Sequence, residues 1–249
     1  MSQQIKLIKT LDLFSEDRPT LSAEEIADLL DVSRPTGFRY VRQLCEIGLL
    51  TKLSGRYALG PKIIELDYRI RRSEPILLAS RERMKELAKR TATTIVLCSL
   101  YGDDVINVHH EAVDDPPALS LERGRLMPRF SGSASTIILA NLPVRRLRRL
   151  YEESKDKKEV LAIAKDWPGF SKYYREIARL GYYISRGRID AGVTGISAPI
   201  FNDLRLVVGS LVIAYKSERS ELINEQGYAE MACKYAADIT RSISGLAKA

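Results

Sequence analysis

Residues 20–60 read TLSAEEIADLLDVSRPTGFRYVRQLCEIGLLTKLSGRYALG, and this stretch decides the first half of the fold. Leu21, Ile26, Ala27, Leu29 and Leu30 fall on one helical face, and Ser22 stands three residues before Glu25, the spacing of a capping box. After a break at Val32, helical spacing resumes through Phe38, Val41, Leu44, Cys45 and Leu49. Ser33 is placed to start this second helix. Pro35 sits in its first turn, where a missing N–H costs little, and Gly48 ends it. Two short helices joined by a tight turn, then a hairpin with its tip at Gly55, form the pattern of a winged helix-turn-helix. The second helix of such a unit lies in the DNA major groove.

Ser33, Arg34, Thr36, Gly37, Arg39, Tyr40, Arg42 and Gln43 remain on the polar face of that second helix. Among them Ser33, Arg34, Thr36, Arg39, Tyr40 and Arg42 are the expected DNA contacts, being side chains that reach base edges or phosphates. Lys52 and Arg56 flank the hairpin tip and are expected to touch phosphates from the wing. The charge distribution agrees. Residues 1–60 hold eight Lys/Arg and eight Asp/Glu, yet from Ser33 to Gly60 five basic residues face one acid, Glu46. A neutral module with one positive face suits an oriented reader of double-stranded DNA. The competing reading is a helical hairpin from an unrelated bundle with ordinary solvated charges.

The chain has 249 residues, 45% hydrophobic and 29% charged, which excludes a disordered protein and gives room for two modest domains. A net charge of +7 favours a polyanionic partner. Cys45, Cys98 and Cys233 have no metal-ligand spacing and form no C-x-x-C, so they read as buried reduced thiols. The start of the chain is polar and helix-forming, unlike a secretory leader, and the longest apolar runs are too short to span a bilayer. A cytoplasmic protein with no membrane partner is expected. No cofactor, metal or catalytic residue is assigned. His109 and His110 are neighbours in a strand and point to opposite faces, so they cannot chelate together. Arg145-Arg146-Leu147-Arg148-Arg149 reads as a solvated helix face rather than a nucleic-acid site.

The rest of the chain is read as follows. Gln4 to Phe14 has helical spacing, Pro61 opens a helix to Ile70, and Pro75 opens another to about Arg90. Strand patterns follow at Thr94–Leu100 and Asp104–His110, joined by a turn at Tyr101-Gly102-Asp103. A short strand is expected at Ala118–Leu121 after a Pro116-Pro117 loop. Helices are expected at Ser133–Leu142, Arg145–Tyr151, Glu159–Ala164 and Ser171–Leu180, then strands at Tyr182–Ser185, Gly195–Ile200 and Leu206–Tyr215. An amphipathic helix from Ser220 to about Ser244 closes the chain. The expected fold class is α+β. A DNA-binding domain spans 1–60, a linker helix 61–74, and a domain with a mostly antiparallel sheet 75–249.

Several phrases occur in an order that resembles the IclR family of bacterial transcription regulators. They are Ile26-Ala27 with Val32-Ser33-Arg34-Pro35-Thr36; Gly55-Arg56-Tyr57-Ala58-Leu59-Gly60; Gly124-Arg125-Leu126-Met127-Pro128; Gly181-Tyr182-Tyr183; and Gly192 to Phe201, GVTGISAPIF. The resemblance implies a winged helix-turn-helix followed by a GAF-like α/β effector-binding domain. It implies a regulator that works as a homodimer or homotetramer on a palindromic operator and responds to a small molecule. It also implies an effector site lined by Met127, Ser131, Ser133, Ala134, Ser185, Gly195, Val212 and Ala214. Gly195 replaces a frequent pocket cysteine of the family, and Val212 and Ala214 replace polar positions. Such a pocket suits a bulky or aromatic carboxylic acid, its carboxylate held by Ser131, Ser133 and the helix amides beside them. The rival expectation is a GAF-like small-molecule enzyme or redox protein.

Overall fold

The structure, a computed structural model, describes residues 3–112 and 121–246. It divides into two compact units between Ser73 and Glu74.

The first unit holds helices α1 (Gln3–Lys9), α2 (Ala23–Leu29) and α3 (Arg34–Glu46), strands β1 (Leu50–Leu53) and β2 (Arg56–Leu59), and helix α4 (Pro61–Ser73). The helix expected over 4–14 is shorter. It breaks at the fully buried Thr10, whose hydroxyl donates back to Lys6 O, and a single 3-10 turn covers Leu11–Leu13. The capping box at α2 forms as expected: Glu25 N–H donates to Ser22 Oγ (3.2 Å) and Ser22 N–H to Glu25 Oε2 (2.6 Å). Ser54 and Gly55 both have positive φ, the requirement of a two-residue hairpin turn. Leu21 adds one antiparallel bridge to Tyr57 and ties the wing to the start of α2.

The core of this unit is Leu21, Ile26, Val41, Leu44 and Leu50. The faces of α3 differ from the expectation. Its buried residues are Gly37, Tyr40, Val41 and Leu44, whereas Phe38 is 47% exposed. Gly37 is where α3 meets α2: a Cβ there would stand 2.7 Å from Ala27 Cβ, closer than any real carbon contact. Leu29 is likewise exposed rather than core-facing. Helix α4 buries no residue, and Ile64, Leu66, Tyr68 and Ile70 are all exposed.

The second unit runs α5 (Pro75–Thr91), β3 (Thr94–Tyr101), β4 (Asp104–Glu111), β5 (Leu126–Met127), α6 (Ser133–Ala140), α7 (Val144–Glu152), α8 (Lys158–Leu161), α9 (Trp167–Leu180), β6 (Tyr183–Arg186), β7 (Val193–Phe201), β8 (Val207–Lys216) and α10 (Glu225–Leu246). The six strands form one antiparallel sheet in the order β5-β4-β3-β8-β7-β6. Each face carries its own core, and the strands alternate between them. Ile95, Leu97, Leu211 and Ile213 pack under α5 and α10, while Val96, Cys98, Val212 and Ala214 pack under α6 and α9. The strand expected at Ala118–Leu121 lies, but for Leu121, outside the described residues; Leu121 is in a turn, and the edge strand is Leu126–Met127 instead. A 3-10 segment, Ser217–Leu222, occupies the start of the expected closing helix.

The arginine run on α7 has a structural partner. Arg146 (3.1 Å) and Arg149 (2.7 Å) both pair with Asp103 at the tip of the β3–β4 hairpin, and Arg148 lies over the Trp167 ring. The Arg149 and Arg146 guanidinium groups hold the Asp103 carboxyl below its usual range.

Candidate nucleic-acid interface and effector cavity

The DNA-facing candidates on α3 are displayed by the burial of the opposite stripe against α2. Ser33 precedes the helix and is exposed, and its hydroxyl lies 2.9 Å from that of Thr36. Arg34, Arg39 and Arg42 are exposed. Arg39 reaches Gln3 Oε1 at 3.4 Å, and Arg42 pairs with Glu46 at 2.9 Å. These are solvent-exposed contacts that a phosphate can replace. Arg34 and Lys52 make no hydrogen bond or ion pair among the described residues.

Two expectations need correction. Tyr40 is only 2% exposed, with its hydroxyl buried and unpartnered among the described residues, so it is core and cannot reach a base. Phe38, assigned to the core by spacing, points outward in its place. Arg56 is also less free than a wing contact was expected to be. Its guanidinium pairs with Glu25 (2.7 Å) and donates to Thr20 Oγ1 and Thr20 O (both 3.1 Å), holding wing and α2 together.

Between α3 and the wing runs an open groove of about 540 Å³, lined by Phe38, Arg39, Val41, Arg42, Cys45, Glu46, Lys52 and Tyr57. Three cations against one acid, Glu46, leave the groove net positive, the sign that suits a phosphate backbone.

In the second unit a cavity lies between the first turn of α6 and the sheet. It encloses about 50 Å³, or about 480 Å³ with its open mouth. Met127, Ser133, Ala134, Ser185, Gly195, Val212 and Ala214 all line it. Helix α6 is seated on the sheet by two serines: Ser197 Oγ donates to Ser133 O (2.8 Å) and Ser210 Oγ to Ala134 O (3.4 Å). Gly195 makes that seat possible, since a Cβ there would stand 2.7 Å from Ser133 Oγ. The first turn of α6 has no side-chain cap, which leaves backbone N–H groups for an anion.

Ser131 is not in this cavity. Its hydroxyl donates to Arg188 O (3.3 Å), and its side chain lines a separate polar cleft with Thr136, Glu159, Tyr173 and Tyr183. Sequence reasoning also missed lining residues. Asn107 is the cross-strand neighbour of Cys98 and comes into view only with the sheet register. Arg188, Ile189 and Asp190 belong to the β6–β7 connection, where no periodicity indicates direction.

The thiols bear on the enzyme or redox alternative. Cys98 donates to Asn107 Oδ1 (2.9 Å), and burial pushes its pKa to about 12. Cys45 and Cys233 are half-buried rather than buried as expected, and that partial burial raises both thiols. None is poised as a thiolate near neutral pH. Among the described residues no three His, Cys, Asp or Glu side chains cluster as metal ligands, and His109 pairs with Glu111 at 2.8 Å.

Comparison with known proteins fits this architecture. The model of the bacterial transcriptional regulator IclR C-terminal domain matches residues 70–241, and that of the IclR helix-turn-helix domain matches residues 6–54. The chain belongs to the IclR family.

Among IclR relatives, the HTH-type transcriptional regulator KipR of Bacillus subtilis is 26% identical over 215 residues, covering 84% of each chain. KdgR of Escherichia coli, also an HTH-type transcriptional regulator, is 21% identical over 235 residues, 93% of this chain and 88% of its own. Two solved structures share the fold. An IclR transcriptional regulator from Alicyclobacillus acidocaldarius has a TM-score of 0.77 at 22% identity, covering 98% and 97% of the two chains. An IclR homolog from Microbacterium hydrocarbonoxydans, crystallised with 4-hydroxybenzoate, has a TM-score of 0.76 at 19% identity, covering 98% and 100%. This IclR chain is therefore a member of a transcriptional regulator family with a helix-turn-helix DNA-binding domain, and the curated relatives named above are transcriptional regulators. No described helix is long and apolar enough to cross a membrane.

Proposed function

We propose that this chain is a cytoplasmic, sequence-specific transcription regulator whose operator binding is modulated by a single-ring aromatic or similarly bulky carboxylic acid. The functional division is a DNA-binding domain at 1–60, a linker helix at 61–74 and an effector domain at 75–249. The observation that carries the effector reading is the cavity under α6. Its walls at Val96, Met127, Val212 and Ala214 are apolar, and uncapped helix amides and Ser133 stand at one end. Arg188, exposed and part of the lining, supplies the one cation there for the carboxylate, beside the acid Asp190. The 4-hydroxybenzoate complex of the Microbacterium homolog supports an aromatic acid as the probe. Such a ligand shifts DNA binding only by the difference in its affinity for the two states of the regulator.

The test is thermal denaturation with 4-hydroxybenzoate and with glyoxylate and pyruvate. A ligand present at one hundred times its Kd stabilises by about 2.7 kcal/mol. We expect aromatic acids to raise the Tm of the wild type and not of Ala134→Trp, which fills the cavity. Stabilisation by the two small acids alone would refute the reading.

Operator recognition requires two heads, because one winged head buries too little surface for tight specific binding. Helix α4, with no buried residue and four large apolar side chains exposed, is the surface we assign to self-association as a dimer or a dimer of dimers. Sedimentation of the full chain at micromolar concentration should show no monomer. A purely monomeric profile with and without operator would remove this element.

A further inference from the structure

The exposed side of α3 has one large apolar residue. Phe38 is 47% exposed, on a helix whose other outward residues include Arg34, Arg39, Arg42 and Gln43. Its position on the helix is informative. The buried stripe runs through Gly37, Tyr40, Val41 and Leu44, so Phe38 sits on the flank of the outward face, toward the wing. There it borders the groove shared with Arg39, Arg42 and Lys52. A helix lying in a major groove presents such a flank to the groove wall, where the edge of a base meets its own backbone.

The major groove offers donors and acceptors from every base pair but only one apolar group, the C5-methyl of thymine. That methyl points toward the backbone of its own strand, the region a flank residue meets. We infer that Phe38 is a specificity-determining residue that reads a thymine methyl in each half of the operator, with Arg39, Arg42 and Lys52 holding the adjacent phosphates or base edges. The inference rests on α3 being the DNA-reading helix and goes beyond it, since it predicts a hydrophobic component of recognition on a face otherwise made mostly of charged and polar side chains. The cations around Phe38 argue for DNA as its occupant, because an apolar protein surface would leave Arg39 and Lys52, neither of which pairs with an acid among the described residues, facing it without a counter-charge.

The experiment uses the full-length protein and a site selected by it from random DNA. Each thymine of that site is replaced in turn by deoxyuridine, which removes the methyl and leaves every hydrogen-bonding group in place. In the wild type, one position per half-site should lose about fourfold in affinity, the factor supplied by burying one methyl group. Phe38→Ala should bind the parent site more weakly, lose the deoxyuridine effect at that position and keep the salt slope, because no phosphate contact is removed. Phe38→Leu should retain part of the effect. Phe38 is exposed, so these variants leave the core intact, and unchanged Tm values check this. A preferred site indifferent to every deoxyuridine, or an undiminished effect in Phe38→Ala, overturns the inference while leaving DNA reading intact. Selection that returns no preferred sequence overturns both.

Discussion

The contact between Gly37 and Ala27 makes a prediction whose sign is decided by the structure. Replacing Gly37 by alanine in an unobstructed helix would stabilise it by about 1 kcal/mol, because glycine is a poor helix former. Here the added Cβ stands 2.7 Å from Ala27 Cβ, 3.1 Å from Ala23 O and 3.2 Å from Ala27 Cα. Carbon atoms rest at about 3.5–4.0 Å, so α2 and α3 must separate by about 1 Å. The obstruction is another helix rather than the end of a flexible side chain, so it cannot rotate away. Overpacking of this kind costs about 1–3 kcal/mol. Set against the propensity gain, Gly37→Ala should destabilise the first unit by about 1 kcal/mol. Native-state hydrogen exchange of the α2 and α3 amides in the full chain measures this locally, without assuming that both units unfold together. Adding Ala27→Gly removes the obstructing methyl, so the two substitutions should couple favourably in a double-mutant cycle. Slower exchange in Gly37→Ala alone would mean that propensity dominates and that the helices are not in close contact. The reading of α3 as a helix braced by α2 would then fail.

Two further outcomes follow from the interface. Arg39→Ala should weaken binding to the selected site by about 1–3 kcal/mol and relax discrimination at one base position, whereas Lys52→Ala should weaken all sequences about equally and lower the slope of log affinity against log salt by about 0.9; wild-type binding by Arg39→Ala in a mobility shift would place the recognition helix elsewhere. Glu25 is held below the ordinary glutamate range, first by the Ser22 backbone N–H and then by Arg56. A depressed carboxyl contributes stability that is present above its unfolded pKa and is lost as pH falls through the folded one. The wing–α2 tether should therefore loosen in acid, below the ordinary carboxylate range. Exchange of the wing amides against pH should show this in the wild type and not in Glu25→Gln.

Much of the fold was legible because it depends on local signals. The Ser22–Glu25 box, the glycine at the hairpin tip and the period-two alternation of β3 and β8 each involve residues close in sequence, and all formed where expected. The failures share a cause. Hydropathy alone put Phe38 inside and Tyr40 outside, because tyrosine's hydroxyl makes it look amphipathic and glycine has no hydropathy signal at all. What sets the rotation of α3 is the smallest residue, Gly37, which must face Ala27 for the two helices to approach; that turns Tyr40 inward and carries Phe38 out. The cavity shows the same limit at longer range. Ser131 and Ser133 are two residues apart, yet only Ser133 faces the sheet, because Ser197 and Ser210 hold the carbonyls of the first turn of α6. Asn107 and Arg188 join the lining from a neighbouring strand and from a loop, and Arg146 and Arg149 of α7 are explained by Asp103, more than forty residues earlier. Periodicity identifies which elements exist. Which side chain of an element reaches a ligand is decided by the closest contact that element makes, and here those contacts are two glycines, Gly37 for the DNA face and Gly195 for the cavity.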